Sequence, residues 1–503
     1  MSLEFLVPYP RKVTVGKATF RRPKRVKVVA AKACAAVAAL VKRDLRTLAG
    51  LSVSGEAPFA VRLQLKKGAA RHEGYRLELG EKGAKVLAAD EGGLFYGVQT
   101  LLQLFVLGDP AAMPTVRITD RPQYRTRSFM VDLGRSIYPL PLLKRIVRIL
   151  ARLKMNTLHL HLNDDQLNGL RFGRLPLGRE NPAAISLRDL SGLVKYARKH
   201  HVSVLPEIEC WGHAGSFIYH APELYGGPGM WGGMSFGIGE ETFAFFEQVF
   251  DELVPVLEPE CAVHIGLDEA RWTTLPSVPK SKRRDYTPTK LVGRLHDILQ
   301  EAGARHGRDI TMHLWADHGG RPIPKHLRDK VVVEPWMYWE YREKDIRAKL
   351  QRWGGRGKPR FMMGAGMSSG HFGGHCGATR LWCQGAVGLP NVEGVTVCLW
   401  EDNDLPEKML GLYGGADYAW SPETPVRAES DSVNERLHME LGVRMRTWQA
   451  AFRDADDEAI RRDRGPHVYR GIYCWGDRAG QPAAPTVMFS KQSEAEMKGA
   501  MLG

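Results

Sequence analysis

The stretch Lys154–Gln166, KMNTLHLHLNDDQ, passes from a basic segment through a short apolar run into an acidic, amide-rich exit. Five or six residues of that kind, bounded by polar punctuation, read as a buried strand rather than a helix. The same order of apolar run and charged exit recurs along the chain. Candidate strands are Ser128–Asp132, Thr157–Leu162, Ser203–Ile208, Ala262–Gly266, Thr311–Trp315, Val331–Trp336, Phe361–Gly364 and Val395–Trp400. Helical patterns separate them. Leu143, Ile146, Val147, Leu150 and Leu153 fall at helical spacing, and Leu187, Leu190, Val194 and Ala197 follow Ser186, an N-cap candidate with Asp189 three residues on. Eight β–α units of this kind predict a (β/α)8 TIM barrel, whose site lies at the C-terminal ends of the strands. A doubly wound sheet is the competing architecture. It is disfavoured because no Gly-rich phosphate loop follows the first strand.

Before the barrel, residues 1–122 read as a small α/β accessory domain. Its expected strands are Val26–Val29, Val61–Leu65, Tyr75–Leu79 and Ala84–Ala88, its helices Ala30–Leu48 and Gly92–Leu107. Pro110, Pro114 and Pro122 mark the segment before Arg125 as a linker. The barrel is expected over 123–425, and 426–503 reads as a charged helix followed by an irregular tail.

The 503 residues exceed one ordinary core, so more than one domain is expected. No apolar run reaches the roughly 18–20 residues that cross a bilayer, so no membrane partner is expected. Seven cysteines without a CxxC pair argue against a disulfide framework or a zinc knuckle. With no secretory pattern at Met1–Val13, a reducing, cytoplasmic setting is the expectation. The formal charge of +15 raises the question of nucleic acid, and RRPKRVK at Arg21–Lys27 is the densest basic run. It reads as a solvated edge, because no nucleic-acid motif accompanies it. Oligomeric state is left open.

Chemistry-bearing residues gather at the strand exits. Arg135 follows strand one; His159, His161, Asp164 and Asp165 lie on and after strand two; Glu207, Glu209, Trp211 and His213 follow strand three; Asp268 and Glu269 follow strand four. Strand five ends in Trp315 and Asp317, strand six in Trp336 and Tyr338, and strand eight in Trp400, Glu401 and Asp402. An acidic pair after a strand is commonly a helix start with favourable dipole charges, and single tryptophans are commonly core. Carboxylates, an arginine and tryptophans converging at one end of seven strands fit sugar recognition better, since indole faces pack on pyranose C–H groups while charged groups bind hydroxyls. His159 and His161 are expected to be structural, with at least one facing away from substrate. No HExxH or other ligand spacing accompanies them, so neither a catalytic metal nor a cofactor is expected.

On these residues the chain resembles glycoside hydrolase family 20, the β-N-acetylhexosaminidases. The resemblance runs through EGYRLEL, GGLFYGVQTLLQL, ITDRPQYRTR, FMVDLGR, KMNTLHLHLNDDQ, PEIECWGHAG and HIGLDEA. It implies a glycan or glycoconjugate substrate. It also implies Glu269 as general acid/base and Asp268 as the carboxylate that positions the acetamido group. Arg135 would bind sugar hydroxyls, Asp165 and His213 would support the acid, and Trp315, Trp336 and Trp400 would wall the −1 pocket. Asp402 takes the place of a sugar-binding carboxylate after strand eight. The chain departs from the family pattern at Leu267, where a second glycine is usual, and in FMMGAGMSSGHFGGH, which lacks the usual tyrosine. The GAGMSS and WMYWE segments resemble a smaller, divergent branch, in which Tyr338 is the candidate polar contact.

The resemblance further implies a retaining, exo-acting reaction in which the substrate's own acetamido oxygen is the nucleophile, family 20 being an exception to the paired-carboxylate rule. Adjacent Asp268 and Glu269 agree with it, because chain neighbours do not readily take opposite faces of one sugar. A hyaluronidase- or O-GlcNAcase-like barrel, which carries an Asp–Asp pair, and an inactive carbohydrate-binding member are the alternatives.

Overall fold

The computed structural model describes residues 3, 5–136, 138–181, 183–229, 233–316, 323–338, 342–367, 377–400, 410–424, 472–474 and 486–488. Asp317, Glu401, Asp402, most of the glycine-rich segment after strand seven, and nearly all of 425–503, including the expected helix beyond Pro422, lie outside them.

The first unit is a seven-stranded sheet. Its strands are β1 (Lys12–Phe20), β2 (Arg25–Ala30), β3 (Ser52–Val53), β4 (Phe59–Leu65), β5 (Tyr75–Gly80), β6 (Gly83–Ala88) and β7 (Met113–Asp120), in spatial order β1-β7-β5-β6-β4-β2-β3. Strict alternation in β5, with Tyr75, Leu77 and Leu79 buried and Arg76 and Glu78 exposed, leaves one face apolar. Helices α1 (Ala35–Thr47) and α2 (Glu91–Leu107) cover that face. The proline-marked linker is a correction. Met113–Asp120 is β7, seated between β1 and β5, with Pro114 at its second residue beside a shift in the β1 register. Proline is tolerated at a strand's start or at a bulge, which is where this one stands.

The second unit is a closed barrel of eight parallel strands. They are β8 (Thr126–Asp132), β9 (Thr157–His161), β10 (Ser203–Glu207), β11 (Glu260–His264), β12 (Asp309–Trp315), β13 (Val331–Glu334), β14 (Arg360–Met367) and β15 (Val392–Leu399). Each expected strand is present within a few residues of its expected limits, and β15 pairs with β8 to close the ring. Outside them run α3 (Leu140–Arg152), α4 (Leu187–Arg198), α5 (Glu240–Leu253), α6 (Pro288–His306), α7 (Glu343–Trp353), α8 (Gly377–Gly385) and α9 (Leu410–Trp420). Between β12 and β13 the described residues hold only a 3-10 turn, Lys325–Leu327. Ser186 and Asp189 form a reciprocal capping box on α4, fixing where that helix leaves β9.

Buried charge joins the two units. Lys154 Nζ donates to Tyr75 Oη at 2.9 Å and to Asp120 Oδ2 at 3.3 Å, and lies 4.6 Å above the Trp420 ring. Burial pulls the Lys154 ammonium down from its ordinary pKa, while Asp120 opposes the shift. Arg127, also fully buried, pairs with Glu73 at 2.8 Å. No described helix is long and apolar enough to cross a membrane.

Candidate active site

The barrel interior is polar where a packed barrel is ordinarily aliphatic. Glu207, at the end of β10, is fully buried and central to it. One carboxylate oxygen accepts from Trp315 Nε1 at 2.6 Å and lies 3.1 Å from His264 Nδ1; the other lies 2.9 Å from both His159 Nε2 and His161 Nδ1. The expectation that one of the two histidines turns away is therefore overturned. Residues two apart on a strand share a face, and His159 and His161 both point inward. Their companions come from β10 and β11, which is why no ligand spacing shows in the sequence.

Towards the strand exits lies a second layer. Arg135 is held by Asp132, through its own N–H at 2.9 Å and Nη1 at 3.1 Å, and its Nη2 sits 2.6 Å from Asp164 Oδ2. Its guanidinium stands 5.4 Å from the Trp400 ring centre. Asp164 also accepts from His161 Nε2 at 2.9 Å. Burial raises that carboxyl, but Arg135 and His213 outweigh it and hold it well below the carboxylate range. His161 is buried too, which lowers its pKa, yet Glu207 and Asp132 raise it to about 10.

His213 connects this layer to the acidic pair. Its Nδ1 is 3.3 Å from Asp164 Oδ1 and 3.5 Å from Asp165 Oδ2; its Nε2 is 3.3 Å from Glu269 Oε2 and 3.6 Å from Asp268 Oδ2. Burial disfavours the imidazolium, but Asp164 and Asp268 raise the pKa well above the usual histidine value. Arg135 Nη2 lies 3.4 Å from the same Nδ1, and the surrounding carboxylates favour the doubly protonated ring over a neutral acceptor. Asp165, expected as the histidine's partner, is the more distant of the two aspartates. Its Oδ1 accepts the backbone N–H groups of Gly215 (2.9 Å) and Met234 (2.8 Å).

Asp268 and Glu269 sit in the loop after β11, their side chains 13% and 22% exposed in a barrel mouth that is otherwise buried. The loop backbone is unusual. Leu267 (φ 83°) and Glu269 (φ 48°) are left-handed, as is His213 opposite them (φ 47°). Such conformations cost non-glycine residues about 1–3 kcal/mol each and cluster at functional sites. Leu267, where the family pattern has glycine, keeps the glycine-like conformation and buries its side chain completely. Its N–H donates to Glu209 Oε2 at 3.1 Å. Glu209 stood among the strand-exit residues of the sequence without an expected role. Burial, Asp268 and Glu207 push its pKa well above the carboxylate range, which favours its protonated form beside Asp268.

The aromatic side closes the mouth. Trp315, Tyr338 and Trp400 form one cluster with Met130 and Cys398, and half-buried Trp336 stacks on Tyr338 at 5.4 Å. Trp400 Nε1 donates to Tyr338 Oη at 3.2 Å. The structure thus brings Arg135, Asp165, His213, Asp268, Glu269, Trp315, Trp336, Tyr338 and Trp400 to one end of the barrel, while Asp402 lies outside the described residues. Three sets of donor atoms approach closely enough to share a cation: His159–Glu207–His264, His161–Glu207–Glu209 and Asp164–Asp165–His213. Ligation requires neutral imidazole. The carboxylates raise the pKa values of His161, His213 and His264, which opposes ligation by those rings, whereas burial lowers that of His159.

Known proteins resemble the chain in both of its units. The catalytic-domain model of glycosyl hydrolase family 20 matches residues 124–353, and the family's domain 2 model matches 4–121. A β-hexosaminidase of Porphyromonas gingivalis is 28% identical over 345 residues, 60% of this chain and 44% of its own length. A β-N-acetylhexosaminidase of Cellulomonas fimi is 32% identical over 278 residues, 50% of this chain and 53% of its own. The chain thus spans about half the length of the curated relatives it matches. The solved Streptomyces plicatus N-acetyl-β-hexosaminidase superposes with a TM-score of 0.66 at 23% identity, over 90% of this chain and 96% of that one. A Vibrio harveyi family 20 exo-β-N-acetylglucosaminidase gives 0.68 at 17%, over 88% and 78%. These superpositions establish the barrel and its preceding domain as a shared fold. From both domain models and the curated relatives together, the chain belongs to glycosyl hydrolase family 20.

Proposed function

We propose that the protein is an exo-acting, retaining hydrolase that removes terminal β-linked N-acetylhexosamine, with the substrate's acetamido oxygen as nucleophile. The observation that carries this reading is His213 Nε2 within 3.3 Å of Glu269 and 3.6 Å of Asp268, which holds the two carboxylates on one side of the mouth. Two groups so placed leave the opposite face of a sugar without a carboxylate from this pair, and the acetamido oxygen can supply the nucleophile there. Glu269 protonates the departing glycosidic oxygen as the acetamido oxygen closes on the anomeric carbon. The resulting oxazolinium carries positive charge near nitrogen, which Asp268 offsets. Glu269 then takes a proton from water as that water opens the ring and restores the acetamido group. Arg135 binds ring hydroxyls, Trp315, Trp336 and Trp400 pack on the sugar, and Tyr338 supplies the hydroxyl that the missing strand-seven tyrosine would give.

The test pairs turnover with inhibition. Aryl N-acetylglucosaminide and N-acetylgalactosaminide should be hydrolysed and the 2-hydroxy gluco analogue left nearly intact. A thiazoline mimic of the bicyclic intermediate should inhibit far more tightly than the product sugar. Comparable turnover of the gluco substrate, or a trapped glycosyl–carboxylate adduct, would refute substrate assistance.

A further inference from the structure

The basic excess has a place in the structure that the proposed reaction does not use. The accessory sheet hides one face under α1 and α2, and the other is open. The pairing registers put Arg62 of β4 beside Lys85 of β6, Lys85 beside Glu78 of β5, and Glu78 beside Arg117 of β7, a row of side chains across four strands. Arg76 extends the same face on one side of that row, and Lys27, from the basic run near the N-terminus, on the other. Five cations thus stand around Glu78, with Glu81 and Lys82 at the end of the same groove, and no ion pair joins any of the five to an acid among the described residues. Beside the row, Gly16, Gly80, Gly83 and Thr115 make a floor of small residues, and an open groove of about 710 Å³ follows it, walled by Arg62, Lys85 and Arg117.

The geometry points to this groove as a docking site for a linear anionic glycan, one bearing carboxylate or sulfate along its length. This inference rests on the reading of the chain as a glycan-processing enzyme. It extends that reading by naming the charge of the polymer that the accessory domain holds. Charge complementarity is the first argument. Strands stand about 4.8 Å apart, so Lys85 and Arg117, two strands from each other, offer cations at a separation of roughly 10 Å along the groove. The floor is the second argument, because small residues let a chain of pyranose rings lie flat between the cationic walls. Nucleic acid fits less well. Single strands are held largely by bases stacking on aromatic side chains, and among the described residues no Trp, Tyr or Phe projects from this face.

Titration of the full-length chain with a chondroitin sulfate oligosaccharide of defined length tests this. Binding is expected at low salt and should weaken as salt rises, since screening shortens the reach of exposed charges. The triple variant Arg62→Ser/Lys85→Ser/Arg117→Ser should bind about tenfold more weakly at an unchanged Tm. The single reversal Lys85→Glu should move affinity the same way with less change to the sheet. No binding, undiminished binding by both variants, equal affinity for a neutral chitin oligosaccharide of the same length, or tighter binding of an oligothymidylate of matched charge would each overturn it. Turnover of aryl N-acetylglucosaminide by the wild-type sample tests the hydrolase reading separately.

Discussion

Gly266 and Glu209 are in contact so close that a Cβ on Gly266 would lie 2.0 Å from Glu209 Oε2. The buried carboxyl reaches through that space to accept the Leu267 N–H. The first glycine of the loop is therefore kept by sterics and by its own φ of 64°, whereas the second position tolerates leucine. Gly266→Ala should push the Asp268–Glu269 loop outward. A displacement near 1 Å at the reacting groups costs about a hundredfold in rate, so kcat/KM should fall by roughly two decades. Steady-state kinetics on an aryl glycosaminide decide it, and an unchanged value would mean that the loop is not held by this contact.

Glu209 also makes a prediction about pH. Its raised pKa means the folded state holds more tightly a proton that the unfolded chain releases above the ordinary value of 4.5. Stability therefore declines as pH climbs from about 4.5 towards the folded value, because folding takes up a proton throughout that window. Glu209→Gln mimics the protonated carboxyl and should flatten the decline, giving a higher Tm than wild type at neutral pH with activity retained. Melting curves across pH check this; a variant as pH-dependent as wild type would remove Glu209 as the source.

At Leu267 the ordinary order of alanine and glycine should invert. Both substitutions lose the buried leucine, a loss worth about 2–5 kcal/mol. Alanine keeps the left-handed strain at φ 83°, while glycine relieves it. Leu267→Gly should thus be the more stable of the two by about 1 kcal/mol, against the usual preference for alanine. Denaturant unfolding of the pair measures it, and an alanine variant more stable than the glycine would show that the loop relaxes out of this conformation.

The barrel was legible from the sequence because buried parallel strands such as VVVE at β13 are short, continuous apolar runs between helical periodicities. β7 was not, since Pro114 and its neighbours look like a linker until β1 and β5 are seen on either side. Among candidate site residues, motif position pointed to Asp268, Glu269, Arg135 and His213, which the barrel brings together. It did not find Glu207 as a shared acceptor or Asp164 as the nearer partner of His213, because those roles come from side chains on neighbouring strands meeting inside the barrel. The period of two, applied to His159 and His161, would have placed both inside.

The buried Lys154–Asp120 pair between the units should respond unequally to loss of either side. Without the lysine, Asp120 keeps donors from Tyr75 Oη, Trp420 Nε1 and the Arg11 and Arg121 N–H groups. Without the aspartate, Lys154 keeps Tyr75, its place over Trp420 and the more distant Asp417, but no carboxylate at ion-pair distance among the described residues. Uncompensated buried charge costs about 3–5 kcal/mol, so Asp120→Ala should lose that much. Lys154→Met should lose only about 1–2 kcal/mol, the scale of a net hydrogen bond. Equal losses in denaturant unfolding would show that the pair, rather than the spare donors, holds the interface.

His213 ties stability and catalysis to one proton. Its pKa is raised, so the folded state holds the proton more tightly than the unfolded chain does. The stabilisation is fully present below the unfolded histidine value and is lost as pH rises through the folded one. His213→Ala should therefore lower Tm most in acidic and neutral solution, with the gap to wild type narrowing as the medium becomes strongly alkaline. Removing the ring also takes away the imidazolium between the Asp164–Asp165 pair and Glu269, leaving Asp164 paired with Arg135 and His161. That change acts on the proton donor and on the orientation of both carboxylates, so kcat should fall by one to two decades while KM moves little, as for contacts made chiefly in the transition state. A residue that served only the fold would lower Tm without altering the pH profile of kcat. The two readouts together separate support of the acid from simple packing, and an unaltered kcat profile in a folded His213→Ala protein would take the imidazole out of the reaction.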